Sequence, residues 1–139
     1  MQKVKLQDMN ALIKKAQQIL EENENILFAY LFGSIARGEH SALSDIDIAV
    51  YLHENTDLTA EKLKLLGELL DNMGTDYIDL VILNTAPLSL AARILKSREI
   101  LVDRSPFTRH RYESLVMREY FDFSFLETSI LNRRYARGR

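Results

Sequence analysis

Residues 26–50 read ILFAYLFGSIARGEHSALSDIDIAV, a stretch in which two strands can be read. Its first seven residues form an apolar run without alternation, which predicts a strand buried on both faces. The run stops at Gly33-Ser34. From residue 45 the pattern changes to DIDIAVYL, where Ile46, Ile48 and Val50 leave one side of a second strand. Asp45, Asp47 and Ala49 leave the other side, because successive strand residues point to opposite faces.

The chain on either side has helical and strand periods in alternation. Residues 4–22 place Leu6, Met9, Leu12, Ile13, Ala16, Ile19 and Leu20 on one helical stripe. Residues 58–73 predict a second amphipathic helix, with Gly74 as its stop. DYIDLVIL at 76–83 predicts a third strand, and Thr85-Ala86-Pro87 opens a short helix to about Ser97. EILV at 99–102 predicts a short edge strand. Ser105-Pro106 then begins a long helix to about Asn132, with Ser as cap and Pro at the first helical position. The order α-β-β-α-β-α-β-α predicts an α/β fold, a small mixed sheet with helices packed against it.

The 139 residues suffice for one domain with its own core. There is no cysteine, so disulfides, Cys-ligated zinc and thiol nucleophiles are excluded. No apolar run has the roughly 20 residues of a membrane span, and the N-terminus lacks the apolar core of a signal peptide. A cytoplasmic protein is expected. The net charge of −2 argues against sequence-independent nucleic-acid binding. It hides an asymmetry: residues 1–103 carry a net −6 and residues 104–139 a net +4, with Arg133, Arg134, Arg137 and Arg139 near the end. A solvated terminus explains those arginines more simply than a contact to an acidic partner or RNA.

The chemistry concentrates in a few residues. Asp45 and Asp47 leave one face of a strand two residues apart. Two such charges about 4 Å apart repel by roughly 4 kcal/mol at an effective dielectric near 20. A divalent cation between them reverses the sign. Asp79, inside the third strand, is the best third carboxylate, whereas Asp76 at its start reads as a solvated turn residue. Gly33 lets a phosphate approach the backbone, and Ser34 and the following N–H groups can donate to it. No Gly-Lys-Ser/Thr follows, so this is not a P-loop. The combination predicts phosphoryl chemistry, with two Mg²⁺ ions on the carboxylates, pyrophosphate at Gly33-Ser34 and attack at the α-phosphorus.

The remaining polar residues divide. Arg37 either binds the triphosphate, which is favoured, or caps local carbonyls. Ser44 shapes the turn before Asp45, and Glu39 and His40 belong to the loop. His53 and His110 have no second ligand at metal spacing. Tyr112, Tyr120 and Tyr135 suit core or interface better than modification.

GSIARGEHSALSDIDIAV resembles the G-S-x(10)-D-x-D signature of nucleotidyltransferases with a polymerase-β-like core. The closer form, G-S-x-A-R-G followed by S-D-x-D-x-x-V, resembles the minimal nucleotidyltransferase (MNT) proteins. The match lies at Gly33, Ser34, Ala36, Arg37, Gly38, Ser44, Asp45, Asp47 and Val50. Asp79 falls where that family has its third metal carboxylate. The likeness spans about residues 26–103, with the helix at about 106–132 as an appendage of one single domain.

The resemblance implies Mg²⁺-dependent transfer of a nucleoside monophosphate. It further implies an antitoxin that adds AMP from ATP to a tyrosine of a HEPN ribonuclease toxin, its partner. Two other functions stay open from sequence: a small-molecule nucleotidyltransferase of the antibiotic-modifying type, and a module that neutralises a toxin by contact alone.

Overall fold

The structure is a computed structural model and describes residues 6–38 and 45–137. Its elements are α1 (Leu6–Glu21), β1 (Ile26–Phe32), α2 (Gly33–Ala36), β2 (Ile46–Leu52) and α3 (Leu58–Met73), followed by β3 (Ile78–Ile82), α4 (Leu88–Ser97), β4 (Glu99–Asp103) and α5 (Pro106–Arg137). The expected order is found, with α2 added as a single turn after β1.

The four strands form one sheet in the order β3-β2-β1-β4. β1 is antiparallel to both neighbours, and β2 is parallel to β3. A parallel pair needs a crossover, and α3 provides it. The α3 helix is capped by the Asp57 carboxylate, which accepts from the Ala60 N–H, and it stops at Gly74 with φ +67°. α5 begins at Pro106 with the Ser105 hydroxyl accepting the Thr108 N–H at 3.4 Å.

The sheet is buried on both faces. One face packs Ile26, Leu31, Ile46, Ile48 and Val50 against α1 and α3. The other packs Phe28, Tyr30, Phe32 and Ala49 against α4 and the first half of α5. The face carrying Asp47 is not polar along its length. Beyond Asp47 it continues into Ala49 and Tyr51, part of the second apolar cluster, so the acidic character is confined to the start of β2. The third strand is also shorter than its apolar run. Leu83, expected on the strand, turns into a 3₁₀ turn over Leu83–Thr85, while the Asn84 side chain donates to and accepts from the Leu52 backbone. Pro87 precedes α4 instead of lying within it.

A buried polar network fixes α5 to the sheet. The Tyr30 hydroxyl donates to Glu113 at 2.6 Å, and Glu113 also pairs with Arg98 at 2.7 Å and Arg109 at 3.1 Å. Burial, and then the Glu113 acceptor, pushes Tyr30 well above the ordinary tyrosine range, so it remains a donor. Tyr112 and Tyr120 pack in the same region, as expected of core tyrosines. Tyr135's side chain, with Glu39, His40 and Ser44, lies outside the described residues. Past Tyr120, α5 carries exposed Phe121, Phe123, Phe125, Leu126 and Ile130. No described helix is long and apolar enough to cross a membrane.

Candidate active site

β1, β2 and β3 bring the chemistry-bearing residues to one end of the sheet. Asp47 is paired across the ladder with Phe32 of β1 on one side and Asp79 of β3 on the other. Strand neighbours lie about 4.8 Å apart, so Asp47 and Asp79 stand side by side. Asp45 precedes β2 by one residue and is exposed, as is Asp79. Two residues separated by 32 positions in sequence thus meet through a parallel pairing that only the α3 crossover permits.

The electrostatics record this meeting. Partial burial, and then the charges of Asp79 and Asp45, push the Asp47 carboxyl up to about 6, against the opposing pull of Arg93 and Arg37. Asp76 does not figure among these neighbours. Asp79 and Asp45 thus raise the cost of ionising Asp47, a repulsion that a hard divalent cation would relieve. Among the described residues no group of three or more His, Asp or Glu side chains is placed to hold a metal ion by itself. Mg²⁺ needs no such group, because it takes one or two carboxylates and fills its other positions with water and substrate phosphate.

Gly33 opens α2 immediately after Phe32, with φ +77°. A Cβ built there would collide with the Asp47 carboxylate. The close approach of this turn to Asp47 is therefore available only to glycine. Ser34 lies half-buried in the same turn. Arg37 ends the turn, its backbone N–H donating to the Gly33 carbonyl at 3.2 Å, and its charge reaches Asp47. Gly33, Ser34, Arg37, Asp45, Asp47 and Asp79 are thus gathered at one place. His53 and His110 are elsewhere and exposed.

Two members of the site carried no sequence signal. The Gly33 N–H donates to the Ser97 hydroxyl at 3.3 Å, tying the turn to the end of α4. Near its other end, α4 places Leu90 in a groove that Asp79 also lines. Arg93 lies between Leu90 and Ser97 on this helix, and its charge reaches Asp47. Four residues of helix separate Arg93 from Ser97, about 6 Å along the axis. Arg93 is exposed, and of the two arginines that oppose the raised Asp47 carboxyl it acts the more strongly. An arginine on a short helix looks like any surface charge until the helix's path over the sheet is known.

The raised carboxyl has a consequence for stability. Its folded value lies above the unfolded 3.8, so the folded state holds this proton more tightly. That contribution is present in full below about pH 3.8 and is lost as pH rises to about 6. Asp47→Asn should therefore be more stable than the parent above pH 6 in EDTA, by roughly 1 kcal/mol after solvent screening of a half-exposed group, or a few degrees in Tm. The difference should vanish near pH 4. Melting curves across pH 4–7 test it, and a pH-independent difference would contradict the carboxylate repulsion.

The chain matches the family model described as polymerase beta, nucleotidyltransferase, over residues 14–107. A Methanocaldococcus jannaschii protein named as a protein adenylyltransferase is 34% identical over 80 residues, 58% of this chain and 91% of that one. Two solved structures share the fold at 21% identity. One is a complex of tri-AMPylated Shewanella oneidensis HEPN toxin with MNT antitoxin, with TM-score 0.67, covering 88% of this chain and 95% of that one. The other is a toxin–antitoxin structure with AMP-PNP, with TM-score 0.66, covering 91% and 94%. With the glycine turn, the paired aspartates and the mixed sheet that joins them, the match establishes that this chain belongs to the polymerase-β nucleotidyltransferase family.

Proposed function

We propose that the protein is a Mg²⁺-dependent protein adenylyltransferase, a cytoplasmic antitoxin that transfers AMP from ATP to a tyrosine of a HEPN ribonuclease toxin. The observation that carries the chemistry is the pairing of Asp47 with Asp79 beside Asp45, under a turn that admits only glycine. The M. jannaschii relative's name, the tri-AMPylated toxin and the AMP-PNP complex support the donor and the class of acceptor. Exposed aromatic and aliphatic side chains on the second half of α5 suit a protein that works against a partner.

In this reading Asp45, Asp47 and Asp79 hold two Mg²⁺ ions, which when bound supply Lewis-acid polarisation of the triphosphate and of the attacking hydroxyl. The Gly33-Ser34 turn receives the β- and γ-phosphates through backbone N–H groups and the Ser34 hydroxyl. Arg37 and Arg93, both close enough to act on Asp47, balance the charge gathering on the leaving group. The acceptor's hydroxyl oxygen bonds to the α-phosphorus. The bond from that phosphorus to the bridging oxygen breaks, pyrophosphate leaves, and the hydroxyl proton passes to Asp79, the carboxylate on the open side. Ser97 keeps the Gly33 turn in place.

The direct test is incubation with each labelled nucleoside triphosphate, Mg²⁺ and the purified helical product of the adjacent gene, followed by mass spectrometry of both proteins. AMP on a tyrosine of the partner is expected; label on neither protein would overturn the reading. Arg93 offers a separate check. Arg93→Ala should weaken ATP affinity about 10-fold while leaving AMP affinity nearly unchanged, because AMP lacks the phosphates at issue. Arg93→Lys should restore part of the loss. Equal effects on ATP and AMP, measured by titration calorimetry with Mg²⁺, would assign Arg93 to another role.

A further inference from the structure

β3 is an edge strand: among the described residues nothing pairs with its side away from β2. A groove of about 480 Å³ is lined by Asp79, Leu80, Val81 and Ile82, four consecutive residues of this strand. Consecutive strand residues point to opposite faces. A groove that touches all four therefore runs along the strand's edge and not over either face of the sheet. Thr59 and Lys62 of α3 wall it on one side, and the segment Thr85–Pro87 with Leu90 of α4 walls it on the other. The strand itself, five residues or about 17 Å long, has outward backbone N–H and C=O groups on this edge that no described strand pairs with.

This edge has no proline in its strand and no described element over it, two of the ways a sheet protects itself. Asp79, one of the three clustered carboxylates, lies in the same groove. A chain seated there would pass directly beside the site of transfer. Lys62, exposed on the wall, adds one positive charge to the lining.

We infer that the β3 edge is the acceptor-binding site: an extended segment of the partner protein pairs with Ile78–Ile82 as an added strand, setting its hydroxyl-bearing residue beside Asp79. Main-chain pairing supplies affinity and alternate side chains enter the two walls. Lys62 selects a segment with an acidic residue facing α3. The inference rests on the protein-acceptor reading given above and adds where, and in what conformation, the acceptor lies.

The test uses the full chain and its purified HEPN partner. Thr59 and Lys62 are both exposed, so Thr59→Trp and Lys62→Glu alter the walls without touching the core. Each should raise KM for the protein acceptor at least 10-fold while ATP affinity, measured without the partner, stays at the parent value. Lys62→Arg should restore the parent KM. In the complex, hydrogen exchange at the outward amides of Asp79–Ile82 should slow at least 10-fold. A parent KM in Thr59→Trp, or no slowing at those amides, would overturn the edge-strand site while leaving transfer intact. A parent protein that labels no partner would overturn the protein-acceptor reading and this inference with it.

Discussion

Asp45→Asn/Asp47→Asn should lower AMP transfer by at least about 1000-fold, with the fold retained. The two side chains stand at the acidic start of β2, one exposed and one half-buried, so amides of the same size disturb no packing. In the absence of metal the double variant should even gain stability above pH 6, for the reason that applies to Asp47 alone. What is lost is the negative charge that a divalent ion needs. The same protein then separates catalysis from contact. The apolar overhang of α5 is untouched, so binding to the partner should persist. If transfer is the means of neutralisation, cells expressing the toxin with the double variant should not be protected. Toxin modified beforehand by the parent protein should stay inactive after the two are separated. Full protection by the double variant at matched expression would mean neutralisation by contact alone.

Much of this site is legible in the chain because its parts sit within one short stretch. Gly33, Ser34, Arg37, Asp45 and Asp47 lie within fifteen residues, and each belongs to a type whose chemistry needs no fold to be named. Asp79 could be chosen over Asp76 because it falls inside a strand pattern, and the parallel register sets it opposite Asp47. The fold's elements were equally open to reading, since apolar runs and helical stripes mark β1, β2 and α3 to within a residue. Arg93 and Ser97 were not open in this way. Their roles depend on where α4 packs against the sheet, a tertiary fact without a local pattern. The start of β2 hides a change of a related kind. Asp45, Asp47 and Ala49 share a face in alternation, but α4 and α5 cover that face from Ala49 onward, so polarity changes along a single strand. The β3 edge was also hidden, because strand order is set by the whole topology.

Gly33 is where the sequence and the geometry give different reasons for one residue, and substitution can tell them apart. From sequence, a side chain at this position would keep a phosphate away from the backbone. The structure adds a nearer obstacle: the new Cβ meets the Asp47 carboxylate before any nucleotide arrives. It also adds backbone strain, since φ is +77°. Gly74 isolates the strain by itself, because it has φ +67° and open space around its would-be Cβ. Gly74→Ala should cost about 1 kcal/mol and leave transfer at the parent rate. Gly33→Ala carries the same strain and must also displace Asp47, so it should cost roughly 2–3 kcal/mol and reduce transfer at least 100-fold. Gly33→Val should be worse on both measures. Adding Asp47→Ala to Gly33→Ala removes the obstacle: stability should return to near the Gly74→Ala level, whereas transfer should not recover. Urea unfolding of the four variants with parallel transfer assays reads both quantities. Parent-level transfer in Gly33→Val would show that neither the phosphate nor Asp47 needs the space that glycine leaves.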